Sequence, residues 1–80
     1  MRIAVCDDDR AIREEISRLI QKQVSEVDIV EYQSGEELIN AKGNFDIYFL
    51  DIEMGKMSGM DIARRIRERE ENSRQRSIII

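Results

Sequence analysis

Two short apolar runs in this chain end in acid. Ile3, Ala4, Val5 and Cys6 lead into Asp7, Asp8 and Asp9, and Ile47, Tyr48, Phe49 and Leu50 lead into Asp51. Continuous apolar runs of this length read as strands buried on both faces, as in a parallel sheet. After the first run the period changes. Ile12, Ile16, Leu19 and Ile20 fall at i, i+4, i+7 and i+8, one stripe of a helix. Asp9 stands where it can cap that helix and suit its dipole, and the stripe fades near Val24 or Ser25. Residues 27–32 are β-branched and aromatic and predict a second strand.

Ser34, with Glu37 three positions on, predicts a capping box that opens a short helix. Leu38, Ile39 and Ala41 give that helix an apolar side, and Gly43 can end it. Residues 45–50 predict the third strand. Ser58, with Asp61 three on, starts a third helix on which Ile62, Ala63 and Ile66 face inward. Arg64 with Glu68 and Arg67 with Glu71 are spaced to pair on its wet side. "ENSRQR" is a polar connection, and "SIII" opens a fourth strand. The order is β-α-β-α-β-α-β. Strands that alternate with helices predict an α/β fold, a parallel sheet with helices on both faces. Neither a repeat nor a composition shift divides residues 1–80, so one domain is expected. With no proline in the chain, turns fall to glycine, Asn and Ser.

Composition narrows the function. Apolar residues are 41% and charged residues 38% of the 80, which supports a small folded domain with a modest core. A net charge of −4 argues against direct nucleic-acid binding, which calls for a basic surface. Apolar runs fall far short of membrane-spanning length, and Asp7 interrupts the apolar start too early for a signal peptide. Cys6 is the single cysteine and has no internal disulfide partner, which fits a reducing, cytoplasmic setting.

The two strand-ending acids change the picture further. In an open parallel sheet, ligands bind beyond the carboxyl ends of the strands, near the point where strand order reverses. If the first and third strands are neighbours, Asp7, Asp8 and Asp51 converge. Three such carboxylates repel one another unless a cation joins them, and an all-oxygen, strongly negative cluster suits Mg²⁺. One of the acids has a second possible role, as a nucleophile that accepts a phosphoryl group. Asp51 is favoured, because its strand is the most apolar and holds it rigidly. The loop behind it, "IEMGKMSG", contains glycines that let backbone approach the site. Each feature has a plainer reading. An acidic triplet commonly opens a solvated helix, and a lone Asp after a strand commonly forms a turn. It is their joint occurrence at two strand ends that favours a site. Cys6 reads as a small core residue. Met54, Met57 and Met60 read as packing, and "ARRIRERE" as a solvated helix face.

These same stretches carry a family resemblance. "IAVCDDD", "YQSGEELI", "FDIYFLDIEM" and "MSGMDIARRIR" resemble, in order and spacing, the receiver domain of bacterial two-component response regulators. Cys6 before the acids is similar to regulators whose output is a LytTR-type DNA-binding domain. The resemblance implies a flavodoxin-like three-layer fold with strand order 2-1-3-4-5. It implies that Asp51 is the phosphoacceptor, taking its phosphoryl group from a sensor histidine kinase. It also implies that Mg²⁺ is held by Asp7, Asp8, Asp51 and the backbone carbonyl of Glu53. DNA would be reached only through an output domain outside this chain, and no membrane is involved.

The chain departs from the family pattern in two places. Met54-Gly55 stands where Met-Pro is usual, which loosens the loop. The sequence ends at Ile80, within the fourth strand, so a truncated receiver is expected: an incomplete (βα)5 fold without its last helix-strand-helix portion. The hydroxyl and lysine that the family uses on the phosphoryl oxygens would then be missing. An uncovered sheet face and an open edge strand would favour self-association. Two other functions compete with the receiver. One is an interaction module of the same fold that is not phosphorylated. The other is a haloacid-dehalogenase-like phosphatase, which usually carries a second Asp two residues after the nucleophile, where this chain has Glu53.

Overall fold

A computed structural model of the chain describes residues 1–41, 44–51, 58–70 and 78–80. Seven elements follow in order: β1 (Arg2–Cys6), α1 (Arg10–Gln23), β2 (Asp28–Tyr32), α2 (Gly35–Asn40), β3 (Ile47–Leu50), α3 (Gly59–Glu70) and β4 (Ile78–Ile79). The four strands form one sheet in the order β2-β1-β3-β4, and every pairing is parallel. In the register Val5 stands beside Glu31 and Phe49, and Cys6 beside Tyr32 and Leu50. This is the expected flavodoxin-like α/β architecture, with β1 and β3 as the inner pair of the described strands.

The strands alternate between two packed faces. Ala4, Cys6 and Tyr48 join Leu38 of α2, Ile62 and Ile66 of α3, and Phe45 in the main core, all at most 5% exposed. Ile3, Ile47 and Phe49 point the other way, toward Leu19 and Ile20 of α1. Phe45 was expected inside the third strand. It lies just before it, wedged edge-on between Tyr32 and Tyr48 at ring-centroid distances of 6.1 and 5.5 Å. The Arg2 guanidinium sits 4.6 Å from its ring centroid.

Helix starts follow the predicted caps. Asp9 Oδ1 accepts from the amides of Ala11 (2.9 Å) and Ile12 (3.4 Å), and Val24 caps the far end of α1. Ser34 Oγ accepts from the Glu37 amide at 3.2 Å. The Glu37 carboxylate reaches the Gln33 amide at 3.3 Å, one residue beyond the reciprocal contact of a capping box. At α3 the box is complete with Asp in place of Glu: the Asp61 amide donates to Ser58 Oγ (3.2 Å), and the Ser58 amide donates to Asp61 Oδ2 (3.4 Å). Among the described residues Arg64 turns back to Asp61 at 2.6 Å rather than on to Glu68, and Arg67 reaches Glu70 at 2.8 Å, both at a spacing of three; the expected Arg67–Glu71 pair lies outside the described residues.

The apolar stripe of α1 is rotated from its expected facing. Ile12 is 48% and Leu19 50% exposed, whereas Ser17 is buried and satisfied by donating to the Arg13 carbonyl at 3.0 Å. An open apolar groove of about 290 Å³ runs between α1 and the sheet, lined by Ile3, Leu19, Ile20, Val24, Ile47 and Phe49 among others. At the sheet edge β4 pairs with β3, and Ile80 extends the ladder through hydrogen bonds to Tyr48 and Leu50 (2.8 and 2.9 Å). Among the described residues no helix is long and apolar enough to cross a membrane.

Candidate functional site

Parallel strands end at the same side of the sheet, and β1 and β3 are neighbours. The residue that follows each is therefore carried to a common edge. Asp7 is the first residue beyond β1, and its amide donates to the Tyr32 carbonyl at 3.1 Å. Asp51 is the first beyond β3, and its amide donates to the Cys6 carbonyl at 3.1 Å. These two main-chain bonds continue the ladders on either side of β1 and fix where both side chains start. Asp8 follows Asp7 in the turn toward α1 and is exposed.

One oxygen from each of Asp7, Asp8 and Asp51 lies within 4.8 Å of the others. Opposite ligands of a hydrated-type Mg²⁺ shell are about 4.2 Å apart and adjacent ones about 2.9 Å. Three oxygens on one face of such a shell are mutually adjacent, so closing from 4.8 Å onto one ion needs each to move by about 1 Å. Three oxygens on one side of an ion, with the rest of the shell open to water or a phosphate, is the chemistry magnesium sites favour. The donor set fits the metal.

Asp7 is buried and Asp51 half-buried. Burial pushes the Asp7 carboxyl up from its ordinary value, and the neighbouring Asp51, Asp8 and Asp9 charges push it further. The hydrogen bond that Asp7 Oδ1 accepts from the Asp9 amide (2.9 Å) works in the opposite direction. Cys6 lies directly below. Burial first, then the Asp7 charge, pushes its thiol up to about 12, so it stays protonated and donates to the Ser34 carbonyl at 3.4 Å. A recess of about 210 Å³ opens beside the acids, with Asp7, Asp51, Ile16, Phe49 and Ile80 in its walls. The site thus has a rigid floor, two anchored acids, one exposed acid and adjoining space.

All three expected acids meet. Glu53 and the Met54-Gly55 step lie outside the described residues. One residue that the sequence reading overlooked is Arg13. Its guanidinium donates to the Asp7 carbonyl through Nη1 (2.9 Å) and to Glu31 through Nε (3.1 Å). Its signal in the sequence was faint: a cation one helical turn past the Asp9 cap, next to Ile12.

The chain matches the response regulator receiver domain over residues 3–80. Sensory transduction protein LytT of Oceanobacillus iheyensis is 31% identical over 67 residues, which cover 81% of this chain and 27% of LytT. The response regulator TrrA of Thermotoga maritima, in its crystal structure with Mg²⁺-BeF, superposes with a TM-score of 0.80 at 36% identity, over 88% of this chain and 61% of TrrA. TrrA in complex with histidine kinase ThkA gives a TM-score of 0.79 at 34% identity, over 98% of this chain and 64% of that one. The chain therefore spans about a quarter of the LytT sequence and less than two thirds of either TrrA structure.

Proposed function

The chain belongs to the response regulator receiver domain family, a family of signalling domains, and from that premise we propose that it is a phosphoacceptor that switches partner affinity. Asp51 is the acceptor. Its carboxylate oxygen attacks the phosphorus of a phosphohistidine on a sensor kinase. An O–P bond forms, the N–P bond breaks, and the electron pair leaves with the imidazole nitrogen. Asp7, Asp8 and Asp51 would hold Mg²⁺, with the backbone carbonyl of Glu53 as the further ligand that the family resemblance implies. When bound, the ion supplies positive charge against the oxygens of the transferring group.

The protein's own residues do the positioning. The ladder bonds from Asp51 to Cys6 and from Asp7 to Tyr32 hold the acids in register, so little ordering is left for the moment of transfer. A kinase as partner is supported by the TrrA–ThkA complex, and Mg²⁺ by the TrrA complex with Mg²⁺-BeF. We read residues 1–80 as belonging to a single receiver domain, phosphorylated once per signalling event rather than turning over a substrate, and working in the cytoplasm. Contact with DNA would belong to an output domain. The observation that carries this reading is the approach of the three acids to within 4.8 Å at the ends of β1 and β3.

The test is intact-mass measurement after incubation with MgCl₂ and acetyl phosphate. A single phosphoryl adduct is expected, absent with EDTA and absent in Asp51→Asn. An adduct of undiminished yield in Asp51→Asn would overturn the assignment.

A further inference from the structure

Arg13 is buried more deeply than a surface helix arginine ordinarily is: its side chain is 14% exposed. It joins three elements. It is carried on α1, its Nε donates to Glu31 of β2 at 3.1 Å, and its Nη1 donates to the main-chain carbonyl of Asp7 at 2.9 Å. That carbonyl belongs to the peptide group linking Asp7 to Asp8. Because a peptide group is planar, holding its oxygen also fixes the direction of the Asp8 amide and the plane from which the Asp8 side chain departs. Asp8 itself lies in neither strand nor helix. Asp7 is set by its strand ladder; Asp8 follows the peptide group that Arg13 holds.

The charge arrangement explains how a cation is tolerated here. An unneutralised guanidinium beside the acids would oppose a divalent ion. The Glu31 carboxylate at 3.1 Å makes Arg13 one half of an ion pair, so the long-range field that reaches the acids is that of a dipole. Both contacts use the planar fork of one guanidinium, whose donors point in fixed directions. A lysine head could satisfy one contact at full geometry, not both.

We infer that Arg13, with Glu31 as its counter-ion, is the positioning residue of the metal-binding turn, holding the Asp7–Asp8 peptide so that both carboxylates face one ion. This rests on the magnesium reading proposed above. The test is isothermal titration of MgCl₂ into wild type, Arg13→Gln, Arg13→Lys and Glu31→Gln, at a temperature where far-UV circular dichroism shows each folded. Ser17→Ala is the control, because it removes another buried tie of α1, the hydroxyl bonded to the Arg13 carbonyl, without touching the turn.

Supporting residues of metal sites typically carry about 10- to 100-fold in affinity, so Arg13→Gln should weaken Mg²⁺ binding at least about tenfold. Arg13→Lys should recover only part of that loss, and Ser17→Ala should bind as wild type does whatever its melting temperature. Folded Arg13→Gln that binds within about twofold of wild type would overturn the inference and leave the magnesium reading standing. Where Arg13→Gln does not fold, Arg13→Lys decides: affinity equal to wild type overturns the inference, and weaker affinity supports it. No Mg²⁺ binding by wild type would overturn both.

Discussion

Asp51→Asn should stabilise the protein in the absence of metal. The substitution keeps the shape of the side chain and removes one of three mutually repelling charges. Asp51 comes within 4.8 Å of both Asp7 and Asp8. At that separation two unit charges repel by about 0.9 kcal/mol in water and about 3.5 kcal/mol at an effective dielectric of 20. Asp8 is exposed and belongs near the first figure, while Asp7 is buried and belongs above it. Screening at 0.1 M salt, with a Debye length of about 10 Å, trims the sum by roughly a third. About 1–2 kcal/mol remains, equivalent to a rise in melting temperature of roughly 4–16 °C for a domain of this size.

The assay is thermal unfolding by circular dichroism in EDTA and across a MgCl₂ titration. In EDTA the variant should melt above wild type, and the gap should narrow in 1 M NaCl, where the Debye length falls to about 3 Å. With Mg²⁺ the order should reverse. A ligand at ten times its dissociation constant adds about 1.4 kcal/mol to the state that binds it, and the variant lacks one carboxylate of the proposed ligand set. Equal stability of the two proteins in EDTA, or equal gains on adding Mg²⁺, would refute the reasoning.

Other perturbations test the frame that holds the site. Ile62→Ala empties a fully buried position between α3 and the sheet and should cost about 2–5 kcal/mol by urea unfolding, a large share of the roughly 4–12 kcal/mol expected for 80 residues. Ser58→Ala removes the α3 cap and should cost about 1 kcal/mol in the same experiment, while Mg²⁺ affinity stays unchanged. The Ser58 hydroxyl and amide, and then Arg64, hold the Asp61 carboxyl below its ordinary 3.8. A carboxyl depressed in the folded state stabilises above its unfolded value and loses that contribution as pH falls through the folded one. Wild type should therefore melt above Asp61→Asn near neutral pH, and the difference should vanish well below pH 3.8. Cys6, with its thiol pushed up to about 12 and buried, should resist iodoacetamide at pH 8 until urea unfolds the chain; alkylation that precedes the loss of helix signal would count against its placement.

What the sequence made legible was what neighbouring residues settle among themselves. Asp9, Ser34 and Ser58 announced their helices because a cap is a contact across two or three positions. The apolar runs announced β1 and β3 because strands covered on both faces need no alternation. The facing of α1 was not legible. Whether Ile12 or Ser17 turns inward depends on what covers the helix, and here an open groove leaves Leu19 half-exposed while Ser17 is buried. Phe45 illustrates the same limit: it reads as strand by composition, yet its burial comes from Tyr32 and Tyr48, which only the folded sheet brings beside it. The Arg13 tie to the Asp7 carbonyl was hidden for another reason. A side chain bonded to main chain leaves no pattern of residue types, because every residue offers the same carbonyl.

The site is a consequence of register rather than of any local motif. Cys6 pairs with Leu50, so the next residue of each strand is brought to the same level, and the Asp51 amide closes onto the Cys6 carbonyl. A slip of one residue between β1 and β3 would reverse which side chains face α1 and which face α3. Ile47 and Phe49 would then compete with Tyr48 and Leu50 for a core built around Phe45, Ile62 and Ile66. The apolar pattern that rejects that slip is therefore also what aligns the acids. Repulsion among Asp7, Asp8 and Asp51 opposes the alignment by an amount on the order of 1–2 kcal/mol. Core burial outweighs it, at about 1.5–3 kcal/mol for each large apolar side chain removed from water. The sheet can hold three like charges together before any ion arrives, and a cation that binds there recovers free energy already stored by folding.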